Sequence, residues 1–471
     1  MREPMKSLQR LLSAALFTLA AASPAIATDF DDPPGGDARF DEGILELLPG
    51  VDINEVLARY GFTLLDSIES KNIHLVSFQP ALTEDEFELL FFADPQIDHS
   101  ELNFDTGNSG PNSGSLFFNV APVAFTEQPV WTVLGANAAH ATATGAGTTV
   151  AIIDTGIDLA NPMFHSNLHP ASISFVGLAS DIQDAGNGIN DDNQGLVDEM
   201  VGHGTWVAGI IRYVAPDATL MPIRALNDEG FTDAFTLAKA IYHAAEYGAD
   251  VINMSLGSIA EVRIVERAVD DVSALGIIPV AAAGNQGIAQ PEYPAINNKA
   301  VGVAAVELNG RLTDFSNYSG ASGSERVLLA APGVSIVGPI LGGYGEASGT
   351  SAAAPLVAGT AALLKQLGTI RRFGDFEQMA EVTAIDVSPQ NPGLDSHALG
   401  EGMLSIDAAV AWAGPCYADL TENGVLDLAD LQLFILGFTS GDEDSDYVEP
   451  RGVWDLADLQ FFIQEFIGGC P

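Results

Sequence analysis

Between residues 128 and 412 the chain alternates short, unbroken apolar runs with longer stretches whose apolar positions recur at helical spacing. The runs fall at 149–153, 219–223, 251–254, 277–283 and 300–305; the helical stretches at 203–213, 234–247, 260–275 and 351–366. A strand that is apolar at every position has both faces covered, which is the habit of parallel sheets. The alternation predicts an α/β domain, a parallel sheet flanked by helices. Residues 44–104 read differently: an apolar strand at 44–48, helical spacing at 52–60, strand-like runs at 63–68 and 73–78, a helix at 83–93 and a last strand at 97–104. That order, βαββαβ, is the ferredoxin-like α+β arrangement. The tail, 414–471, contains Asp-Leu-Ala-Asp-Leu-Gln twice, at 427–432 and 455–460. A repeat shifted by 28 residues implies two stacked copies of one small helical unit.

The segments around these units have their own composition. Residues 1–27 carry Arg2, Lys6 and Arg10, an apolar run at 11–22 and Ala25-Ile26-Ala27, the plan of a cleaved signal peptide. The apolar run is too short to span a bilayer, and no later run is long enough, so an exported protein without a transmembrane segment is expected. Residues 28–43, rich in Asp, Pro and Gly, read as a disordered leader, and 105–127 as a linker whose start, 105–115, is Gly-, Asn- and Ser-rich. The formal charge of −45 excludes binding to a phosphate backbone, which needs clustered Lys and Arg. Such self-repulsion suits a saline or calcium-containing habitat, or simply keeps an exported chain soluble. Two cysteines, Cys416 and Cys470, stand at the two ends of the tail. Joined, they would stabilise it by about 4 kcal/mol in the chain-entropy picture.

Candidate chemistry lies in the α/β region. Asp154 ends the first apolar run, in Ile152-Ile153-Asp154-Thr155-Gly156; His203 sits between glycines in Gly202-His203-Gly204-Thr205; Ser351 opens an alanine-rich helix in Gly349-Thr350-Ser351-Ala352-Ala353-Ala354-Pro355. Alone, Asp154 equally fits a turn residue and Ser351 a helix cap. Together they supply the carboxylate, imidazole and hydroxyl that an activated serine requires. A developing oxyanion needs donors: the Ser351 N–H, at the positive end of its helix, and the Asn285 side-chain amide, at the end of the run Ala281-Ala282-Ala283-Gly284. Pro355 is expected in the first turn of its helix, where no N–H is missed. The other histidines, such as His74, His140 and His243, lack flanking glycines and read as structural.

These motifs, in the order Asp, His, Ser, resemble the subtilisin-like (subtilase) serine proteases over roughly residues 130–410. Further matches are Val214-Ala215-Pro216, Asn253-Met254-Ser255-Leu256-Gly257, Phe315-Ser316-Asn317-Tyr318-Ser319 and Ala331-Pro332-Gly333. The resemblance implies Asp154, His203 and Ser351 as triad, Asn285 as oxyanion donor, and Ser255, Leu256 and Gly257 as the strand that pairs with an extended substrate. It implies no cofactor for catalysis. Placed before such a domain, residues 44–104 look like its propeptide, an assistant in folding and an inhibitor until removed. Ala352 stands where many relatives have Met, and Trp206 is a bulky neighbour of His203. The longer connection at 187–199 is acidic; some relatives carry similar inserts, and its oxygen-rich side chains suit calcium, while a plain solvated loop fits it as well.

In the tail, Asp419, Thr421, Asn423, Asp427 and Asp430 occupy positions 1, 3, 5, 9 and 12 of a calcium loop with Gly424 at 6. With the helix expected at 428–438 and its duplication, 414–471 resembles a dockerin type I module, which implies structural calcium and a cohesin-type partner. The second copy has Tyr447 and Arg451 at positions 1 and 5, which puts its calcium in doubt. The expected whole is a secreted or cell-surface serine endopeptidase made as a precursor. The competing expectation is an inactive scaffold of the same fold that tethers through its tail.

Overall fold

The computed structural model describes residues 38–107, 117–190, 197–258, 261–320, 326–414, 417–421, 425–441, 445 and 453–468. The expected signal peptide, Cys416, Cys470, Asn423, Tyr447 and Arg451 lie outside the described residues.

The N-terminal module runs β1 (Ala38–Leu47), α1 (Ile53–Tyr60), β2 (Thr63–Ile68), β3 (Ile73–Ser77), α2 (Glu84–Phe91) and β4 (Ile97–Gly107). Helix starts follow local chemistry. Asp52 accepts from Asn54 N, and Thr83 forms a capping box with Glu86. The strands pair antiparallel in the order β2-β3-β1-β4. One face closes over Phe62, Phe78, Phe87 and Phe91. Two boundaries differ from the sequence reading. Strand β1 begins at Ala38, inside the stretch expected as disordered leader, because Ala38 and Arg39 pair with Phe104 and Asn103. Strand β4 runs on to Gly107, inside the expected linker, because partners for its backbone come from the next domain. The linker expectation also fails at β5 (Phe118–Val120) and at a short helix, Val123–Glu127.

The large domain is built on β6 (Thr149–Asp154), β7 (Ile173–Ser174), α3 (His203–Val214), β8 (Thr219–Arg224), β9 (Phe231–Asp233), α4 (Ala234–Glu246), β10 (Val251–Met254), α5 (Arg263–Ala274), β11 (Ile278–Ala282), β12 (Val301–Val306), β13 (Leu329–Pro332), β14 (Ile336–Ile340), β15 (Gly343–Ala347) and α6 (Thr350–Leu367). Seven strands, β13-β12-β11-β10-β6-β8-β7, form one parallel sheet. Two of them were absent from the sequence reading: β7 has two residues, and β13 is an edge strand ending in Pro332, where a missing N–H costs no ladder bond. Strand order reverses at β6, flanked by β8 on one side and β10 on the other. In such sheets that switch opens a crevice at the carboxyl ends of the strands. Helices α3 and α6 pack on each other and on one sheet face. Small residues let α6 come close: Ala352, Ala353, Ala354, Ala358, Ala361 and Ala362 are all buried. Helices α4 and α5 cover the other face.

The N-terminal module docks on α4 and α5. Strand β4 adds β9 to its sheet, pairing Asp105 with Asp233 and Thr106 with Thr232. Helix α5 has no side-chain cap of its own, and Glu101 accepts from Arg263 N (3.1 Å) and Ile264 N (2.8 Å) at its start. Asn103 Oδ1 accepts from Phe235 N in the first turn of α4 (3.2 Å). Lys71 pairs with Asp271, Lys239 with Asp66, and Arg267 with Glu46 and Asp98.

Two further helices, α7 (Phe373–Thr383) and α8 (Ile406–Ala411), close the domain, and the tail follows as α9 (Leu428–Ser440) and α10 (Leu456–Gly468). Phe434 and Phe462, one per repeat, stack face to face at 4.1 Å. The Arg371 guanidinium lies 3.8 Å from the Phe461 ring centre, and Tyr417 donates to Asp375 (2.7 Å), so the tail leans on the large domain.

Candidate active site

Asp154 is the last residue of β6, at the switch, and its carboxylate turns back on its own chain to accept from Thr155 N (2.8 Å). Oδ1 also faces His203 Nδ1 at 2.7 Å, with both side chains 2% exposed. Helix α3 can start this close to β6 only because position 204 has no side chain. A Cβ there would stand 2.3 Å from Gly156 O. Gly202, before the histidine, holds φ +95°, a left-handed turn that glycine alone enters without strain. His203 Nε2 makes no hydrogen bond among the described residues.

Ser351 stands in the first turn of α6. Its hydroxyl donates to Ser255 O at 3.2 Å rather than to the imidazole, and the Ser255 hydroxyl donates to Ser351 O at 3.1 Å. This exchange corrects the expectation for Pro355, which sits past the first turn of a helix starting at Thr350. Its missing N–H is the one that would have served Ser351 O, and Ser255 fills that place from the end of β10. Asn253 Nδ2 in turn donates to Ser255 Oγ (3.0 Å). A serine hydroxyl that donates elsewhere is common in resting sites, where the proton-transfer contact tightens with substrate.

Asn285 leaves the end of β11. Its Oδ1 accepts from Thr350 N (2.9 Å) and Thr350 Oγ1 (3.1 Å), which orients the amide and leaves Nδ2 as the donor beside Gly349 and Ser351 N. Asn285→Ala is expected to lower kcat about 10²–10³-fold with KM little changed, measured on a chromogenic peptide. A matching rise in KM instead would mean that the amide serves ground-state binding.

Electrostatics favour a charged imidazole. Burial works against it, but the Asp154 carboxylate, with Asp184 behind it, raises the His203 pKa above its ordinary value. Asp184 was not singled out by the sequence reading. It is buried beneath the start of α3, accepts from Gly202 N (2.9 Å), Thr205 N (3.1 Å), Thr205 Oγ1 (2.6 Å) and Thr155 Oγ1 (3.2 Å), and burial pushes its carboxyl up. It fixes the backbone at the start of α3, and its surroundings, Gln183-Asp184-Ala185, carry no motif that announces it. The Trp206 ring lies beside that of His203, centroids 6.0 Å apart, packs edge-to-face with Phe117, and its indole N–H donates to Ile336 O (3.1 Å). The histidines read as structural are satisfied elsewhere: His74 by Ser67 and Asn72, His140 by Val214 O, His243 by Ala171 O.

Among the described residues, no three His, Cys, Asp or Glu side chains gather as metal ligands. In the tail loop, Thr421 Oγ1 lies 2.9 Å from Asp430 Oδ1 and 3.2 Å from Asp419 Oδ1, so positions 1, 3 and 12 converge. Asp427 and Asp430 form the capping box of α9. In the 187–199 connection, Asn187 N is shared by Asp198 (2.9 Å) and Asp228 (2.7 Å). Burial, then the neighbouring Asp198, pushes the Asp228 carboxyl up.

The chain matches the subtilase family over residues 145–397. It is 34% identical to thermitase of Thermoactinomyces vulgaris over 247 residues, covering 52% of this chain and 84% of that one. It is 35% identical to subtilisin Savinase of Lederbergia lenta over 234 residues, 47% of this chain and 78% of that one. To a thermophilic serine proteinase of Bacillus sp. (strain AK1) it is 36% identical over 253 residues, 51% of this chain but only 57% of the relative's length.

Proposed function

Since the chain belongs to the subtilase family, we propose that it is a secreted serine endopeptidase made as a precursor. The observations that carry this reading are the buried Asp154–His203 pair (2.7 Å) and the helix start at which Asn285 accepts from Thr350 N, next to Ser351. His203 Nε2 takes the Ser351 hydroxyl proton as Oγ attacks the scissile carbonyl. The carbonyl oxygen gains the negative charge and is held by Ser351 N–H and Asn285 Nδ2. The imidazolium, stabilised by Asp154, returns its proton to the leaving amine, and the acyl-enzyme remains. Water, deprotonated by the same histidine, releases the acid and restores Ser351. Residues 255–257, with Ser255, Leu256 and Gly257 leaving β10, are the edge an extended peptide would pair with.

The N-terminal module supports the precursor reading, since Glu101 and Asn103 supply helix-start acceptors that α4 and α5 would otherwise take from water. For the tail, calcium held by Asp419, Thr421 and Asp430 suits the observed convergence of those oxygens. Binding there would add structural rigidity and a tether to a cohesin-type partner, with no part in catalysis.

One measurement tests the reading. Mass spectrometry of the purified protein after treatment with a fluorophosphonate is expected to find signal and N-terminal module removed and one adduct on Ser351. Native spectra would show bound calcium lost on chelation. Absence of the adduct on folded protein overturns the peptidase reading in favour of an inactive tethering scaffold.

A further inference from the structure

Two chain segments leave the sheet on either side of the place where a scissile carbonyl would lie. Residues 255–258 follow β10 and carry the Ser255–Ser351 exchange; residues 283–286 follow β11 and carry Asn285. A side chain on the residue whose carbonyl is attacked is one carbon away from that carbonyl, so it enters the slot between these segments. Each segment has a glycine facing the slot. A Cβ on Gly257 would stand 2.1 Å from Glu292 Oε2, and one on Gly284 would stand 2.5 Å from Asn317 Nδ2 and 2.7 Å from Glu292 Cδ. The Glu292 side chain thus occupies space that two side chains would otherwise fill.

Its backbone is fastened to both walls. Glu292 N donates to Ala283 O (2.9 Å), while Tyr293 N donates to Ser258 O (2.8 Å) and Ser258 N to Tyr293 O (2.9 Å). Residues 292–293 therefore floor the slot. The Gln286 side-chain amide donates to Glu292 Oε1, and Glu292 is only 5% exposed.

We infer that Glu292 makes this slot a cation site, so that the enzyme prefers Lys or Arg as the residue whose carbonyl Ser351 attacks. The inference rests on the peptidase reading above. A desolvated carboxylate attracts a cation far more strongly than one in water and adds a charge-assisted hydrogen bond. An apolar side chain entering the same slot further desolvates the carboxylate with nothing in return, and an acidic one is repelled. Asp and Glu far outnumber Lys and Arg beyond residue 107 as well, so the molecule as a whole draws cationic peptides.

The test uses the mature protein and four chromogenic peptides that differ only at that residue: Arg, Lys, Phe and Glu. Arg and Lys are expected to exceed Phe about a hundredfold in kcat/KM, with Glu slowest. Glu292→Gln keeps the side chain's shape. It is expected to lower Arg and Lys cleavage about a hundredfold and to raise Phe cleavage relative to theirs, because an amide costs less to desolvate than a carboxylate. Equal cleavage of Phe and Arg by the unaltered enzyme, or an equal loss on all peptides in the variant, overturns the inference while the peptidase reading stands. If no peptide is cleaved and Ser351 takes no fluorophosphonate, the peptidase reading has failed and the inference with it. Should the variant not fold, benzamidine and its neutral analogue benzamide decide on the unaltered enzyme. Competitive inhibition by the cation at least tenfold stronger supports the cation site, and equal inhibition overturns it.

Discussion

Ser351→Ala is expected to lower peptide hydrolysis by about 10⁴–10⁶-fold and to leave the protein folded. The rate loss follows because no other hydroxyl lies at the start of α6 beside both Asn285 and Ser351 N: Thr350 Oγ1 is committed to Asn285 Oδ1 and accepts from Gly284 N. The fold survives because Ser351 contributes little through its side chain. Its hydroxyl makes one bond, to Ser255 O, worth about 1 kcal/mol. The return bond, from Ser255 Oγ to Ser351 O, uses backbone and persists in alanine. A thermal midpoint lowered by no more than about 2–4 °C is therefore expected, read by circular dichroism beside the activity assay. If the enzyme matures itself, the same variant accumulates with residues 38–107 still attached. Hydrolysis near the unaltered rate would overturn the assignment of Ser351.

Asp154→Asn should be the second most damaging single change, at about 10⁴-fold in kcat near neutral pH. Oδ1 now accepts from both Thr155 N and His203 Nδ1. An amide in its place can present its NH₂ to Nδ1, which then accepts, forcing the proton onto Nε2, where it cannot receive another from Ser351. The pH profile separates this from a merely structural loss. In the unaltered enzyme the imidazole must be neutral to act as base, so kcat/KM rises with pH through the His203 pKa. Asp154 and Asp184 hold that pKa above its ordinary value despite burial, and the acid limb therefore lies above pH 6.5. Removing the Asp154 charge leaves burial as the dominant influence, so the limb moves to lower pH as the rate falls. An unchanged limb would show that Asp154 does not face the titrating histidine.

Both changes act on groups fixed by contacts far apart along the chain. His203 depends on Asp154, 49 residues earlier, and Ser351 on Ser255, 96 residues earlier. The Asp184 carboxylate adds a third dependence by holding Gly202 N and Thr205 N at the start of α3. Loss of Asp184 would loosen the histidine without removing any reacting atom.

The apolar runs by themselves determined a parallel sheet with helices on both faces, because a strand buried on two sides must be apolar throughout. They also marked where chemistry lies. A backbone that turns left-handed or approaches another closely needs glycine, so Gly202 and Gly204 flag the histidine from either side. What a lone polar residue does was decided only by the tertiary structure. Glu101, Asp184 and Glu292 look alike in sequence, yet one caps the start of α5 from the N-terminal module, one holds Gly202 N beside His203, and one fills the space between Gly257 and Gly284. The reason is that a carboxylate's role is set by the backbones and charges stacked against it. Those neighbours come from segments whose distance along the chain carries no local signal. The extension of β4 to Gly107 is the same case in hydrogen bonds: its partner, β9, exists for it only after the two domains have met.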